Sequence, residues 1–280
     1  MSDSVRGYPL RAFVICLIAY TTAQMDLALF GYAVPAIRAE FGLTLSEVMA
    51  IVSTAFLLGG ALLVLLGWLA DRVGRLPLFQ FSLLGSSFLV ALISIAPGVA
   101  ALTALRGASI AVGGLSYPVT GAIITEEMPA RLRGLFMGLL QIGYPLGWAL
   151  ASLWSMWLLT EYGWRQLFWV GLVSLPMVWV VRRYLREPPR SVAARSTEAP
   201  PRFSDLFASG IRERAITLFV AQFLFVWAYA ASIFLFPSFL REVRSLDAFN
   251  FSLLIGAGNC LLYTSPSPRD YAASRMPSSA

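Results

Sequence analysis

GWLADRVGRLPLF, residues 67–79, is a small charged cluster set between two long apolar runs. Asp71, Arg72 and Arg75 lie in it, with Gly67 and Gly74 spaced around them. The flanking runs, 48–70 and 76–95, each approach the roughly 20 apolar residues that a helix needs to cross a bilayer. The cluster therefore reads as the polar turn of a transmembrane hairpin. Gly67 lets a neighbouring backbone come close, and Gly74 permits a tight turn. Asp71 is expected near the N-terminus of the following span, where the helix dipole favours a negative charge. Arg72 and Arg75 reach lipid phosphates or acids on a neighbouring helix. An ordinary hairpin with its positive charges on one side needs the arginines, but not this glycine-spaced arrangement.

The same pattern repeats outward from the cluster. Candidate spans occupy 12–36, 48–70, 76–95, 99–125, 135–159, 166–181 and 215–239, and another begins near Phe249. The 280 residues are 58% hydrophobic and 13% charged, with a mean hydropathy of +0.72. That is more apolar surface than a water-soluble domain can hide, so the expected fold class is all-α, a polytopic transmembrane helical bundle. The net charge is +6. The basic residues lie in short gaps between apolar runs rather than on one face, so the lipid bilayer is the expected partner and nucleic acid is not.

The connections alternate in charge. One side holds Arg6, Arg11, Arg72, Arg75, Arg131, Arg133 and the cluster from Arg182 to Arg214; the other holds Arg38, Arg165, Arg241 and Arg244. This bias predicts a cytoplasmic N-terminus in a cell inner membrane. Residues 1–186 read as a six-span bundle. Residues 187–213 are polar and rich in Pro, Ser and Arg, a cytoplasmic linker. Residues 214–259 begin a second bundle, so the chain is expected to divide into two halves. In the tail, 260–280, the string CLLYTSPSPRD resembles a translated sequencing adapter. The native reading is expected to stop near Asn259, which makes the chain a fragment; a genuine polar tail is the alternative.

Several chemistries are excluded by residue type. Every one of the 21 basic residues is Arg. Without His the commonest proton shuttle and metal ligand are gone, and without Lys no phosphate-binding loop of the G-x-x-x-x-G-K-[ST] kind exists. Cys16 and Cys260 form neither a disulfide framework nor a metal site. No cofactor and no metal are expected, and an enzyme or a membrane sensor is disfavoured because no convergent reactive groups and no signalling domain are present.

G67-W-L-A-D71-R72-V-G74-R75 resembles the signature loop of the major facilitator superfamily, at the place expected for it. LRGASIAVGG (105–114) is similar to the arginine motif of that family's fourth span, and TEEMPARLRG (125–134) to its span 4–5 loop, with Glu126, Arg131, Arg133 and Gly134. YGWRQLFWVG (162–171) resembles the entry to span 6, and LREPPR (185–190) its exit. The resemblance implies two rocking six-helix bundles, with the signature loop as a gate that holds the cytoplasmic side shut; Asp71 and Arg75 would then be conformational latches. MDLALFGYAVPAI (25–37) further resembles the first span of the metabolite–proton symporter branch. Some members of that branch carry two acids there. This chain has Gln24 and Asp26.

A charge at mid-bilayer costs at least about 2.5 kcal/mol, so it is seldom idle. Asp26 in span 1 and Arg106 in span 4 are two such charges. Counting at 1.5 Å per residue puts Asp26 about 9 Å and Arg106 about 10 Å from the same membrane boundary. An Asp26–Arg106 pair is therefore expected, with Asp26 as the proton-coupling carboxylate and Arg106 as its partner or an anchor for an anionic substrate. A purely structural ion pair is the alternative. Gln141 in span 5 and Tyr117 in span 4 are further cavity candidates, although packing is the simpler role for both. The resulting expectation is a monomeric secondary active transporter that takes up a small anionic metabolite with protons. A drug–proton antiporter is the second reading; antiporters of the superfamily carry a Gly-Pro dyad in span 5 where this chain has Gly143-Tyr-Pro145.

Overall fold

The computed structural model describes residues 7–187, scattered positions between 212 and 241, and 243–262; for 64, 67–72, 251, 256 and 258–262 it describes the backbone alone. Among the described residues, six helices are long and apolar enough to cross a membrane: Tyr8–Phe41, Leu45–Leu63, Arg75–Ile93, Val99–Glu127, Ala130–Glu161 and Trp164–Tyr184. They are spans 1 to 6 below. A further helix covers Ala248–Leu262. Most of the expected linker 187–213, much of the expected span 215–239 and the tail 263–280 lie outside the described residues.

Local chemistry sets the helix ends. Span 1 stops at Gly42, whose left-handed φ of 63° lets its N–H cap the Arg38 carbonyl. Thr44 and Glu47 then form a reciprocal capping box: Thr44 N donates to Glu47 Oε2 at 2.8 Å and Glu47 N to Thr44 Oγ1 at 3.3 Å. The second helix runs on to Val73. It turns into span 3 through Gly74, whose φ of 115° is a conformation that glycine adopts and other residues resist.

Three spans are interrupted, and proline explains the interruptions in spans 4 and 5. A helical proline lacks an N–H and its ring crowds the carbonyl four residues earlier. Span 4 breaks after Gly114, four residues before Pro118, and span 5 breaks after Gln141, four residues before Pro145. Span 6 winds as a 3₁₀ helix over Phe168–Ser174 and resumes α geometry at Leu175, beside Pro176. A seven-residue 3₁₀ run is long for that geometry, whose bonds are poorer than those of the α-helix.

Packing pairs span 1 with span 5, span 2 with span 4, and span 3 with spans 4 and 6; the C-terminal helix Ala248–Leu262 lies along span 5. Helices in lipid gain no hydrophobic drive from one another, so close backbone approach decides which faces meet. At Gly147 a Cβ would fall 2.6 Å from the Thr21 carbonyl oxygen, so span 5 rests directly on the backbone of span 1. Two apolar cores result. One surrounds Met25–Ile37, Trp148 and Phe168; the other joins Ala12–Tyr20 to Phe79, Ile123, Phe136 and Val181.

The contrast between two helical glycines is testable. Gly147→Ala is expected to destabilise the protein by about 1–3 kcal/mol through overpacking. Gly134→Ala, at a site with nothing within 4 Å, should instead stabilise it by up to about 1 kcal/mol through helix propensity. Thermal unfolding midpoints in detergent will read the opposite signs.

Candidate functional site

The centre of the bundle holds two buried charges. Asp26 and Arg106 are each 2% exposed. The neighbours of Asp26 along span 1, Met25, Ala28, Leu29 and Phe30, belong to an apolar core. The Asp26 carboxylate is held by span 6, where Ser174 Oγ donates to Oδ2 at 3.2 Å and to Oδ1 at 3.4 Å. Ser174 is itself buried and ends the 3₁₀ run, so the interruption in span 6 presents this hydroxyl.

Arg106 comes from span 4. Its Nη2 donates to the Leu27 carbonyl at 2.8 Å, and its guanidinium lies 4.6 Å from the centroid of the Phe30 ring. A guanidinium has five N–H donors and favours aromatic faces, so one carbonyl and one ring leave most of its capacity unused. Both charges thus meet the same turn of span 1. They do not meet each other: no ion pair within 4.0 Å joins them in this conformation. The reason is angular. The Asp26 carboxylate reaches span 6, whereas Arg106 takes a backbone oxygen on the approach from span 4.

Tyr117 and Gln141 stand apart from this pair. Tyr117 is 40% exposed, with its ring 5.5 Å from Tyr20. Gln141 is exposed at the end of its helix segment. Tyr20 precedes Asp26 by about 9 Å of helix, which puts the Tyr117–Tyr20 contact nearer the N-terminal end of the bundle.

At that end the charged motifs come together. Arg75 forms an ion pair with Glu126, which is 8% exposed, so the signature loop and the span 4–5 loop are directly joined. Glu187, just past span 6, accepts from the backbone N–H groups of Arg75 at 2.9 Å and Leu76 at 3.0 Å. It places a negative charge at the start of span 3. The backbone of Asp71 lies in the last turn of the preceding helix, four residues before span 3 begins. The side chains of Gly67, Asp71 and Arg72 lie outside the described residues. Arg133 Nε donates to the Met128 carbonyl at 3.1 Å, Arg131 lies in the 3₁₀ turn Ala130–Leu132, and Gly134 faces open space.

The opposite end has a polar clasp that sequence reasoning missed. Arg165 Nη2 pairs with Glu40 Oε1 at 2.6 Å, and its Nη1 donates to the carbonyls of Ser94 at 2.9 Å and Ala96 at 3.2 Å. Trp164 Nε1 donates to Glu40 Oε2 at 2.6 Å. Spans 1, 3 and 6 are tied at one point. The signal for it was the Trp-Arg pair in YGWRQLFWVG, whose partners lie far away in the chain.

Six packed apolar spans with ionisable groups in their midst define a multi-pass helical membrane protein with a polar site inside the bundle. The chain belongs to the Major Facilitator Superfamily, whose family model matches residues 16–275. It is 31% identical over 180 residues to the cis,cis-muconate transport protein of Acinetobacter baylyi, covering 63% of this chain and 43% of that protein. It is 29% identical over 245 residues to a probable 4-methylmuconolactone transporter of Cupriavidus pinatubonensis, covering 83% and 55%. The chain therefore spans about half the length of the curated relatives it matches. Its fold is similar to that of a bacterial homologue of the human lysosomal transporter Spinster in an inward-facing, unoccupied conformation. That likeness has a TM-score of 0.67 at 18% identity, over 91% of this chain and 60% of that one.

The Arg75–Glu126 pair is half-buried, between the surface and interior cases. Arg75→Glu or Glu126→Arg alone is expected to cost about 2 kcal/mol, whereas the double exchange restores most of it. Unfolding midpoints of the three variants provide the check.

Proposed function

We propose that this protein is a proton-coupled symporter that takes up a small organic acid by alternating access, as a monomer in the inner membrane with its N-terminus in the cytoplasm. The observation that carries the reading is the convergence of Asp26 and Arg106 on one turn of span 1 without an ion pair between them. The names of the relatives, transporters of a muconate and a muconolactone, support an organic acid as substrate. The arginine asymmetry of the connections supports the orientation.

The mechanism follows from charge balance in a low-dielectric site. A net charge sealed away from water is costly, so each state that crosses the membrane should be close to neutral. The loaded carrier holds the Arg106 cation and a substrate carboxylate. It is neutral when Asp26 is protonated. The empty carrier holds Arg106 alone and is neutral when Asp26 has lost its proton. One proton thus accompanies each carboxylate inward, and the empty carrier returns without it. Arg106 gives up the Leu27 carbonyl for the substrate, while Ser174 steadies the Asp26 carboxylate when it is ionised. Asp71, Arg75 and their loop act at the gate, with the Arg75–Glu126 pair and Glu187 fastening that loop to its own bundle as the halves rock.

Uptake of a radiolabelled carboxylate by the full-length protein in proteoliposomes tests this directly. Asp26→Asn should keep substrate exchange but lose accumulation driven by an inward proton gradient. Arg106→Gln should lose binding by about 10- to 100-fold, the loss of a charge-assisted contact. Retention of gradient-driven uptake by both variants contradicts the proposal, and accumulation driven only by an outward gradient favours the antiporter reading.

A further inference from the structure

We propose that Gln24 is a specificity residue that accepts a hydrogen bond from a donor on the substrate, so that the preferred cargo is an organic acid bearing a hydroxyl or N–H group rather than a bare carboxylate. The inference rests on the organic-acid reading above and adds to it the second recognition point. Gln24 Oε1 is buried and has no hydrogen-bond partner. A buried acceptor left unpaired is costly, and such groups in native proteins call for an explanation.

Its surroundings point to a ligand. Gln24 is one turn before Leu27 on the same face of span 1, and Leu27 offers the carbonyl on which Arg106 rests. Both residues are only half-buried, unlike Met25 and Asp26 between them. Across from it Gly147 brings the span 5 backbone against Gln24 Cβ, and Tyr144 and Trp148 flank that glycine with ring centroids 6.0 Å apart. A carboxylate on Arg106 and a donor on Gln24 would be separated by about one helical turn, on the order of 5 Å. That is the reach of a small ring with its polar groups at opposite ends. A site with a fixed acceptor discriminates well, because an acid lacking the donor leaves the acceptor stranded.

The test measures binding of 4-hydroxybenzoate and benzoate to the full-length protein and to Gln24→Met, which keeps the length of the side chain and removes its polar atoms. The unaltered protein should bind the hydroxylated acid about tenfold more tightly, and Gln24→Met should remove that preference while benzoate affinity stays within twofold. Equal loss for both acids assigns Gln24 to packing and overturns the proposal, as does an unchanged preference. Binding of both acids without preference sinks only the role of Gln24. Failure of the unaltered protein to bind either acid, or any member of a carboxylate panel, sinks the organic-acid reading as well.

Discussion

Hydrocarbon does not solvate charge, and this constraint organises the molecule. Asp26 and Arg106 are tolerated in the bundle because each finds a partner that is not lipid: a serine hydroxyl for the acid, a main-chain oxygen and an aromatic face for the base. Neither partner neutralises the charge. The site is therefore polarised and incompletely satisfied, the condition under which an anion and a proton can enter as compensating charges. Packing alone would be better served by two leucines.

One interruption in the spans serves the same site. Proline forces breaks in spans 4 and 5, span 6 winds as a 3₁₀ helix before Pro176, and a helix break in lipid leaves backbone groups that must be met inside the protein. The break in span 6 ends at Ser174, the donor to Asp26. Above and below, polar clasps fix the ends of the helices: Glu40 with Trp164 and Arg165 at one end, Arg75 with Glu126 and Glu187 at the other. Between the clasps, glycine contacts such as Gly147 on Thr21 hold spans 1 and 5 in register.

The six spans and their order were legible because hydropathy is a property of contiguous sequence, and the charged turn at 67–79 marked the first hairpin. Depth was legible too. A constant rise per residue brought Asp26 and Arg106 to one level, and Arg106 does reach Leu27, next to Asp26. Azimuth was not. The direction in which Asp26 points depends on the rotation of span 1 against span 6, and Ser174 lies 148 residues away. Long-range capping was equally hidden: Glu187, more than 110 residues on, accepts from the first N–H groups of span 3. Helix ends ran past the expected spans, from Tyr8 to Phe41 where 12–36 was expected, because hydrogen bonding continues after the apolar stretch has ended.

The claim on which the account turns is that the acid in span 1 takes up a proton when a carboxylate occupies the arginine beside it. Infrared difference spectroscopy of the full-length protein, recorded as an organic acid is added at constant pH, reads that event. A protonated-carboxyl stretch that grows with occupancy and is absent from Asp26→Asn is the predicted result. A spectrum without that band, or one in which the band is lost as substrate binds, would contradict it.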